Sequence, residues 1–446
     1  MEPRTGKSKV ALDYVGLLSL KGETRRVLIL APRIAVNVWR REIRKHFPFA
    51  YTVETFEGKW RSPQGGEQQQ PTVEFFIASR EEVWRATRNP RGKLVRKKSL
   101  LLAKWGPDAV VLDESHQYQR PGGRGAQDAW RFVRRLRANG DGVRPYVLLL
   151  SGTPNPRGWR SLFAQFRIMD ETVFGTSVAR FDDSHVVYGH GKRRFTILRY
   201  RNEKTILTKV RKNSITVSAR EAGLAGKRHW QPLMVTLPAA AMTAYYDMAE
   251  NMMLEVEGGL ITAKNMGVLR LRLLQITGGF TTDGKCIHDS KLQATRDWMA
   301  LLHQQGEPFV VGARFLPEVD AIAQSVPRGC RVGVVKGETR RDRDRMVSQF
   351  QRGRLDSLVF QVQAGAAAIE LSRAAEVVMY SLPDGWVEFK QFMDRVMGPN
   401  QKRPVRNTAI LAKGTLDRSV IRGLIKKEDW HNTLMDNPEA FLQGLL

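Results

Sequence analysis

Hydrophobic positions along the chain fall into two alternating series of short apolar runs and longer amphipathic stretches. In the first series, Val27–Ala31, Val73–Ile77, Val110–Leu112 and Tyr146–Leu150 are apolar on consecutive positions, as strands of a parallel sheet buried on both faces are. Apolar residues three and four apart predict helices over Lys9–Leu20, Ala35–Lys45 and Ala126–Ala138. The Gly-, Gln- and Pro-rich stretch from Gly58 to Pro71 reads as an exposed loop. From Ala239 to Gln275 the spacing is helical, broken at Gly258-Gly259, and Gly278-Gly279 reads as a linker. The second series runs helix Leu292–His303, strand Phe309–Val311, helix Pro317–Ser325, strand Val332–Val335, helix Arg341–Phe350 and strand Ser357–Gln361. It continues with a turn at Ala364-Gly365, strand Val377–Tyr380, helix Val387–Val396 and strand Thr408–Ala412. This βαβα alternation predicts an α/β protein with two doubly wound parallel-sheet lobes and a helical linker region between them. The expected domains are residues 1–230, a linker or insertion at 231–290, a second lobe at 291–425 and a helical tail at 426–446.

One strand carries more than packing. Val110-Val111-Leu112 runs into Asp113-Glu114-Ser115-His116, which sets two adjacent carboxylates where a buried strand ends. Open α/β sheets bind ligands at the carboxyl ends of their strands. One carboxylate there can hold Mg²⁺, and the next can position or deprotonate an attacking water. His116 lies close enough along the chain to sense that chemistry. Taken alone, the pattern equally describes a strand end followed by a solvated turn.

Composition narrows the partner. At 446 residues the chain is too long for one compact core, and Lys plus Arg total 72 against 45 acidic residues, a formal charge of +27. Such an excess suits a polyanion, most simply nucleic acid. The densest basic stretch, residues 170–230, includes Lys192, Arg193 and Arg194 with Phe195 and Tyr200 interleaved. Basic residues mixed with aromatics favour nucleic-acid backbones and bases, although an ordinary basic surface has the same composition. No apolar run is long enough to span a bilayer, no basic amphipathic anchor stands out, and the first residues are polar rather than signal-like. The cysteines, Cys286 and Cys330, stand far apart and support neither a disulfide framework nor a zinc site by spacing. A reduced, cytoplasmic protein without structural metal is expected, with no membrane partner.

Near the start, Thr5-Gly6-Lys7-Ser8 matches the second half of a P-loop. In that device backbone N–H groups at a helix N-terminus cradle phosphates, the lysine reaches the β- and γ-phosphates and the serine hydroxyl ligates Mg²⁺. Met1 stands where the motif has its first glycine, and no strand precedes it in this sequence. Nucleotide hydrolysis is therefore expected to depend on extension of the chain upstream.

The order of the pieces is more specific than any one of them. Gly-Lys-Ser opens the first lobe, Asp-Glu-Ser-His follows about one hundred residues on, and Ser151-Gly152-Thr153-Pro154 ends the next strand. In the second lobe, Val310–Phe315 resembles a fourth motif, and Lys336-Gly337-Glu338-Thr339 with Arg345 and Phe350-Gln351 resembles a G-x-T…R…F-Q signature. Ala364–Ser372 resembles a fifth motif, with Glu370 where Asn is usual, and Tyr380–Trp386 resembles the Tyr…Trp segment after it. Gln391-Phe392-Met393-Asp394-Arg395…Gln401 resembles a sixth, with Gly398 in place of its second arginine. The set resembles superfamily 2 helicases and translocases, within them the Swi/Snf-like branch, and its compactness is similar to phage or mobile-element members.

That resemblance implies two RecA-like lobes, ATP with Mg²⁺ as cofactors, and DNA as partner, duplex or branched rather than RNA. It implies that Thr5, Gly6, Lys7 and Ser8 bind phosphate, that Ser8 and Asp113 hold Mg²⁺, and that Glu114 activates the hydrolytic water. Gln391 and Arg395 then act on the reacting phosphate, while His116, Ser151 and Thr153 couple hydrolysis to lobe movement. Arg33, Ser79, Thr339 and Gly365 fall in motifs that touch the nucleic-acid backbone, contacts that position without reading sequence. Two functions follow as expectations. One is an ATP-driven DNA translocase or helicase, located in the host cytoplasm if phage-encoded. The other is a nucleotide-responsive DNA-binding clamp with little hydrolysis.

Overall fold

The computed structural model describes residues 5–425 apart from short segments at 62–72, 89–93, 140–143, 155–157, 192–196, 218–220, 224–227, 258–262, 282, 338–339, 366–368, 384 and 398–399. The chain divides into two compact units, residues 1–219 with 438–446, and residues 220–437.

The first unit is built on a six-stranded sheet. Its strands are β1 (Arg26–Ala31), β2 (Tyr51–Thr55), β3 (Gly58–Arg61), β4 (Val73–Ser79), β7 (Ala109–Leu112) and β8 (Tyr146–Leu149). A small ladder of β5 (Thr87–Arg88) and β6 (Leu94–Val95) stands apart. The order is β3-β2-β4-β1-β7-β8, parallel except for β3. Alternate residues of β1 enter different cores. Val27, Ile29 and Ala31 pack with Trp39, Ile43 and Phe75, whereas Leu28 and Leu30 pack with Leu102, Phe132 and Val133. This is why the strand is apolar at successive positions: both faces are covered. The chain leaves β1 toward β2 and leaves β7 toward β8 on the other side, so the switch point lies between the carboxyl ends of β1 and β7. Asp108 ties their opposite ends by accepting from the backbone N–H groups of Arg25 and Arg26. The stretch expected as a loop from Gly58 instead begins with β3, which pairs antiparallel with β2 across a tight turn.

Beyond the sheet, helix Val178–His185 and an antiparallel pair, β9 (Val186–Tyr188) with β10 (Ile197–Tyr200), pack into the same unit. Arg160 anchors them through two bonds to Asp182, 2.8 and 3.0 Å long.

The second unit carries β11 (Arg228–Val235), β12 (Phe309–Ala313), β13 (Val332–Val335), β14 (Ser357–Gln361), β15 (Glu376–Met379) and β16 (Val405–Ala412). All are parallel, in the order β11-β16-β15-β12-β14-β13. Its switch point lies between β12 and β15. The boundary expected at residue 230 falls inside β11, which joins this second sheet. Its exposed, mixed sequence has no strand periodicity of its own; pairing with β16 makes it a strand. The helices of the expected linker, Ala239–Glu257 and Ala263–Gly278, belong to this unit too. Gly278-Gly279 is a packing point rather than a linker: a Cβ on Gly278 would lie 2.0 Å from Glu318 Oε1, and one on Gly279 2.1 Å from the His288 carbonyl oxygen. The expected turn at Ala364-Gly365 closes a one-turn helix, Val362–Gly365, and the helix expected to reach Val396 ends at Met393. The helical tail expected at 426–446 lies outside the described residues.

Candidate active site

The helix Lys7–Leu20 carries the expected phosphate-binding residues at its start. Gly6 precedes it in the left-handed region at φ 87°, a conformation that glycine adopts without a Cβ penalty. A Cβ there would meet nothing within 4 Å, and no side chain caps the helix. The first N–H groups of a helix have no intrahelical partner, so this end offers donors and a positive dipole to an anion. Lys7 and Ser8 sit half-exposed on that first turn, while Ala11, Leu12 and Val15 fix the helix to the first sheet.

At the switch point, Asp113 follows β7 directly. Its backbone N–H donates to the Leu30 carbonyl 2.9 Å away, so the ladder places the carboxylate. Its Oδ2 accepts from Trp39 Nε1 at 2.9 Å and its Oδ1 from the Glu114 N–H at 2.9 Å. Burial and then the adjacent Glu114 charge push the Asp113 carboxyl up to about 6, against the Trp39 bond, the Lys7 ammonium and the Glu114 N–H. A carboxylate so disfavoured is a natural ligand for a cation. Glu114 adopts φ 50°, ψ 50°, a left-handed backbone that costs a non-glycine residue on the order of 1 kcal/mol or more and that clusters at functional sites.

Behind these carboxylates runs a polar relay. His116 Nδ1 lies 3.2 Å from Glu114 Oε2 and 3.1 Å from Ser151 Oγ. The Thr153 N–H donates to Ser151 Oγ at 3.0 Å. Ser115 Oγ donates to Gln165 Oε1 at 2.8 Å, and Gln165 Nε2 donates to the Pro154 carbonyl at 2.6 Å. Gln165, 2% exposed, thus bolts the loop after β7 to the loop after β8. Trp39 and Gln165 escaped the sequence reading because both sit at helical core positions, where spacing speaks only of packing.

Donor chemistry fits Mg²⁺ and a nucleotide here. A hydroxyl on Ser8, a carboxylate on Asp113 with raised proton affinity, an ammonium on Lys7 and an open helix N-terminus suit a hard cation held with phosphate oxygens.

The remaining expected residues are more scattered. Arg33 is exposed in the 3₁₀ turn after β1. Ser79 ends the adjacent β4 opposite Ala31, but is 4% exposed and its hydroxyl caps the helix Arg80–Val83 by accepting from the Glu82 N–H. The cap uses an acceptor lone pair, and the hydroxyl proton is a separate donor. Thr339, Gly398 and Lys192, Arg193 and Arg194 lie outside the described residues. In the second unit Gly365 ends the one-turn helix after β14. Gln391 lies on the helix Trp386–Met393, and Arg395 follows in the turn beyond. Asp394 is occupied by Arg228 at 3.0 Å and Lys390 at 3.4 Å. Part of the basic segment is structural: Lys209 Nζ donates to the Val173 carbonyl and Arg201 to those of Asp183 and Val186.

Residues 2–156 match the family model of the type III restriction enzyme res subunit, and residues 290–398 match that of the helicase conserved C-terminal domain. This chain is a superfamily 2 helicase. By class it is thus a helicase-type ATPase, and the matches span the candidate site and the helix Trp386–Met393 with Arg395 in the turn after it. The superfamily 2 helicase is also similar to a solved SWI2/SNF2 ATPase core of Sulfolobus solfataricus in complex with dsDNA. That alignment covers 98% of this chain and 94% of the other at 14% identity, with a TM-score of 0.38. No helix among its described residues is long and apolar enough to cross a membrane.

Proposed function

We propose that this superfamily 2 helicase is an ATP-driven DNA translocase of the Swi/Snf-like type, moving on or remodelling DNA. The observation that carries the reading is the cluster at the first switch point: Asp113 and Glu114 at the end of β7, joined through His116 to Ser151. A binding module needs no Glu114 aligned with such a relay. Bound Mg²⁺ would neutralise charge on phosphate oxygens, and Ser8 and Asp113 are the residues to hold it. Lys7 and the helix N–H groups orient the phosphates. Glu114 accepts the proton of the attacking water, its carboxylate steadied by His116. Ser151 and Thr153 read the state of that carboxylate through the same imidazole. Arg395, with Gln391 in the same sixth motif, is the proposed source of positive charge as negative charge develops on the transferred phosphoryl group.

The charge of +27 supports a polyanionic track. Exposed Arg33 and the basic segment around Lys192, Arg193 and Arg194 are the proposed contacts in the first unit. Thr339 and Gly365 are those in the second. The deciding experiment is steady-state ATPase with and without duplex DNA, for wild type and Glu114→Gln. Stimulated turnover in wild type, reduced at least about a hundredfold in Glu114→Gln with DNA binding intact, is expected from loss of a general base. DNA binding that responds to nucleotide without stimulated turnover would leave the clamp reading instead.

A further inference from the structure

The second sheet has a cluster that the motor does not use. It lies at the amino ends of β13 and β14, the edge opposite to that bearing the fourth and fifth motifs. Val332 of β13 pairs with Ser357 of β14, so the residues just before the two strands are brought side by side. Asp356 occupies the place before β14, and Cys330 lies two residues before β13, beyond Arg331. His303, in the last turn of the helix Ser290–Gln304, comes down on them. One ligand atom from each of the three lies within 4.8 Å of the others.

We infer that His303, Cys330 and Asp356 form a binding site for a thiophilic divalent cation, zinc in preference to magnesium or calcium. Sulfur and imidazole donors select zinc, whereas hard cations want oxygen throughout. Three protein ligands leave a fourth tetrahedral position for water. Each donor is set up for this role. His303 turns a ring nitrogen toward the other two ligand atoms. Cys330 is 9% exposed, and burial pushes its thiol up, against the Ser357 hydroxyl 3.5 Å from Sγ, which can donate to a thiolate once a cation displaces the proton. Asp356 is held in place by Arg331: Nη2 reaches Oδ1 at 2.6 Å, and Nε and the backbone N–H reach Oδ2 at 3.1 and 2.9 Å. Oδ1, with a single donor, keeps a further lone pair for a cation, and a ligating carboxylate oriented from behind by a hydrogen-bond donor is the usual outer-shell arrangement.

On binding, the Cys330 thiol gives its proton to solvent, and thiolate and carboxylate balance the two charges of the cation. The cation would pin the end of the helix Ser290–Gln304 to the sheet edge. The competing account is that Asp356 serves only Arg331 and that Cys330 is a small core hydrophobe.

The test uses the full chain, reduced and stripped with a chelator, then titrated with Co²⁺ as probe. One equivalent with near-ultraviolet thiolate-to-cobalt charge transfer, displaced by Zn²⁺, is expected. Cys330→Ser should abolish that absorption, whereas Cys286→Ser, at an exposed cysteine, should keep it. His303→Ala, at a helix end, keeps the sulfur and should weaken Co²⁺ binding at least about tenfold, since even outer-shell partners carry that much. Zn²⁺ should raise the melting temperature of wild type and not of His303→Ala. Absence of the charge-transfer band, its survival in Cys330→Ser, its loss in Cys286→Ser, or unchanged affinity in His303→Ala would overturn the site.

Discussion

Each of the two sheets places a carboxyl group of raised proton affinity at its switch point, and the two groups differ in access. Asp113, at the end of β7, is half-buried beside a second carboxylate and within the field of Lys7. Glu318 lies beneath the ends of β12 and β15, is 1% exposed and accepts from the Ser381 hydroxyl and from the Phe315 N–H at 3.1 Å. Burial pushes Glu318 up to about 7, against Ser381, the nearby backbone and Lys291. The same topology therefore yields an acid open to a cation in one unit and a sealed structural acid in the other. A raised pKa alone does not mark an active site. What singles out Asp113 as the proposed Mg²⁺ ligand is the Lys7 helix N-terminus and the relay from Glu114 to Ser151.

Breaking that contrast most sharply, Asp113→Asn should lower Mg²⁺-dependent ATP turnover by about a hundredfold or more, while Glu318→Gln keeps turnover within severalfold. Steady-state assays over a Mg²⁺ series decide, and equal loss in both would erase the distinction. Next in size is a control for buried charge that is matched. Lys291 and Asp417 are both 2% exposed at the side chain and pair at 2.6 Å, with Thr277 and the Ala412 N–H also on Asp417. Asp417→Ala strands the Lys291 ammonium and should destabilise the chain by about 3–5 kcal/mol in denaturant titrations.

Stability against pH separates the two switch-point acids more finely. A carboxyl raised on folding stabilises below its unfolded pKa, and that contribution is lost as pH rises through the folded value. For Glu318 the window runs from about 4.5 to about 7, and for Asp113 from about 4 to about 6. Relative to wild type, Glu318→Gln should thus gain up to about 2 kcal/mol between pH 5 and 8. Asp113→Asn should gain about 1 kcal/mol in the metal-free protein, with the gain complete by pH 7. Thermal melts across pH check both, and parallel wild-type and variant curves would contradict the assigned shifts. Smallest is the effect expected at Trp39. Trp39→Phe removes the indole donor to Asp113 and should raise the Mg²⁺ concentration needed for half-maximal turnover about threefold to tenfold, the size of one ordinary net hydrogen bond. The maximal rate should change less, which separates orientation of Asp113 from a general loss of fold.

Local pattern was enough for much of this protein. Consecutive apolar residues mark β1, β4, β7 and β12 because both faces of those strands are covered, and amphipathic spacing marks the helices that cover them. The run Asp113-Glu114-Ser115-His116 is legible because its residues are adjacent in the chain. Strands β2, β3 and β11 were not legible, since their strand state depends on a neighbouring strand to complete the hydrogen bonds. The end of the helix Trp386–Met393 was also misplaced, because Val396 is buried through the following turn rather than by helical spacing.

The sequence by itself determined the α/β class, the ordered motifs and the carboxylate pair, all of which rest on neighbours within a few residues. Only the tertiary structure decided which core residues serve the site. Trp39 reaches Asp113 across 74 positions, and Gln165 reaches Ser115 across 50. It also brought His303, Cys330 and Asp356 together, where spacing along the chain had pointed away from a metal. The physical reason is the same in each case. A hydrogen bond or a ligand set depends on distance in space, and parallel strands joined by helices bring distant residues to one sheet edge that no local periodicity encodes.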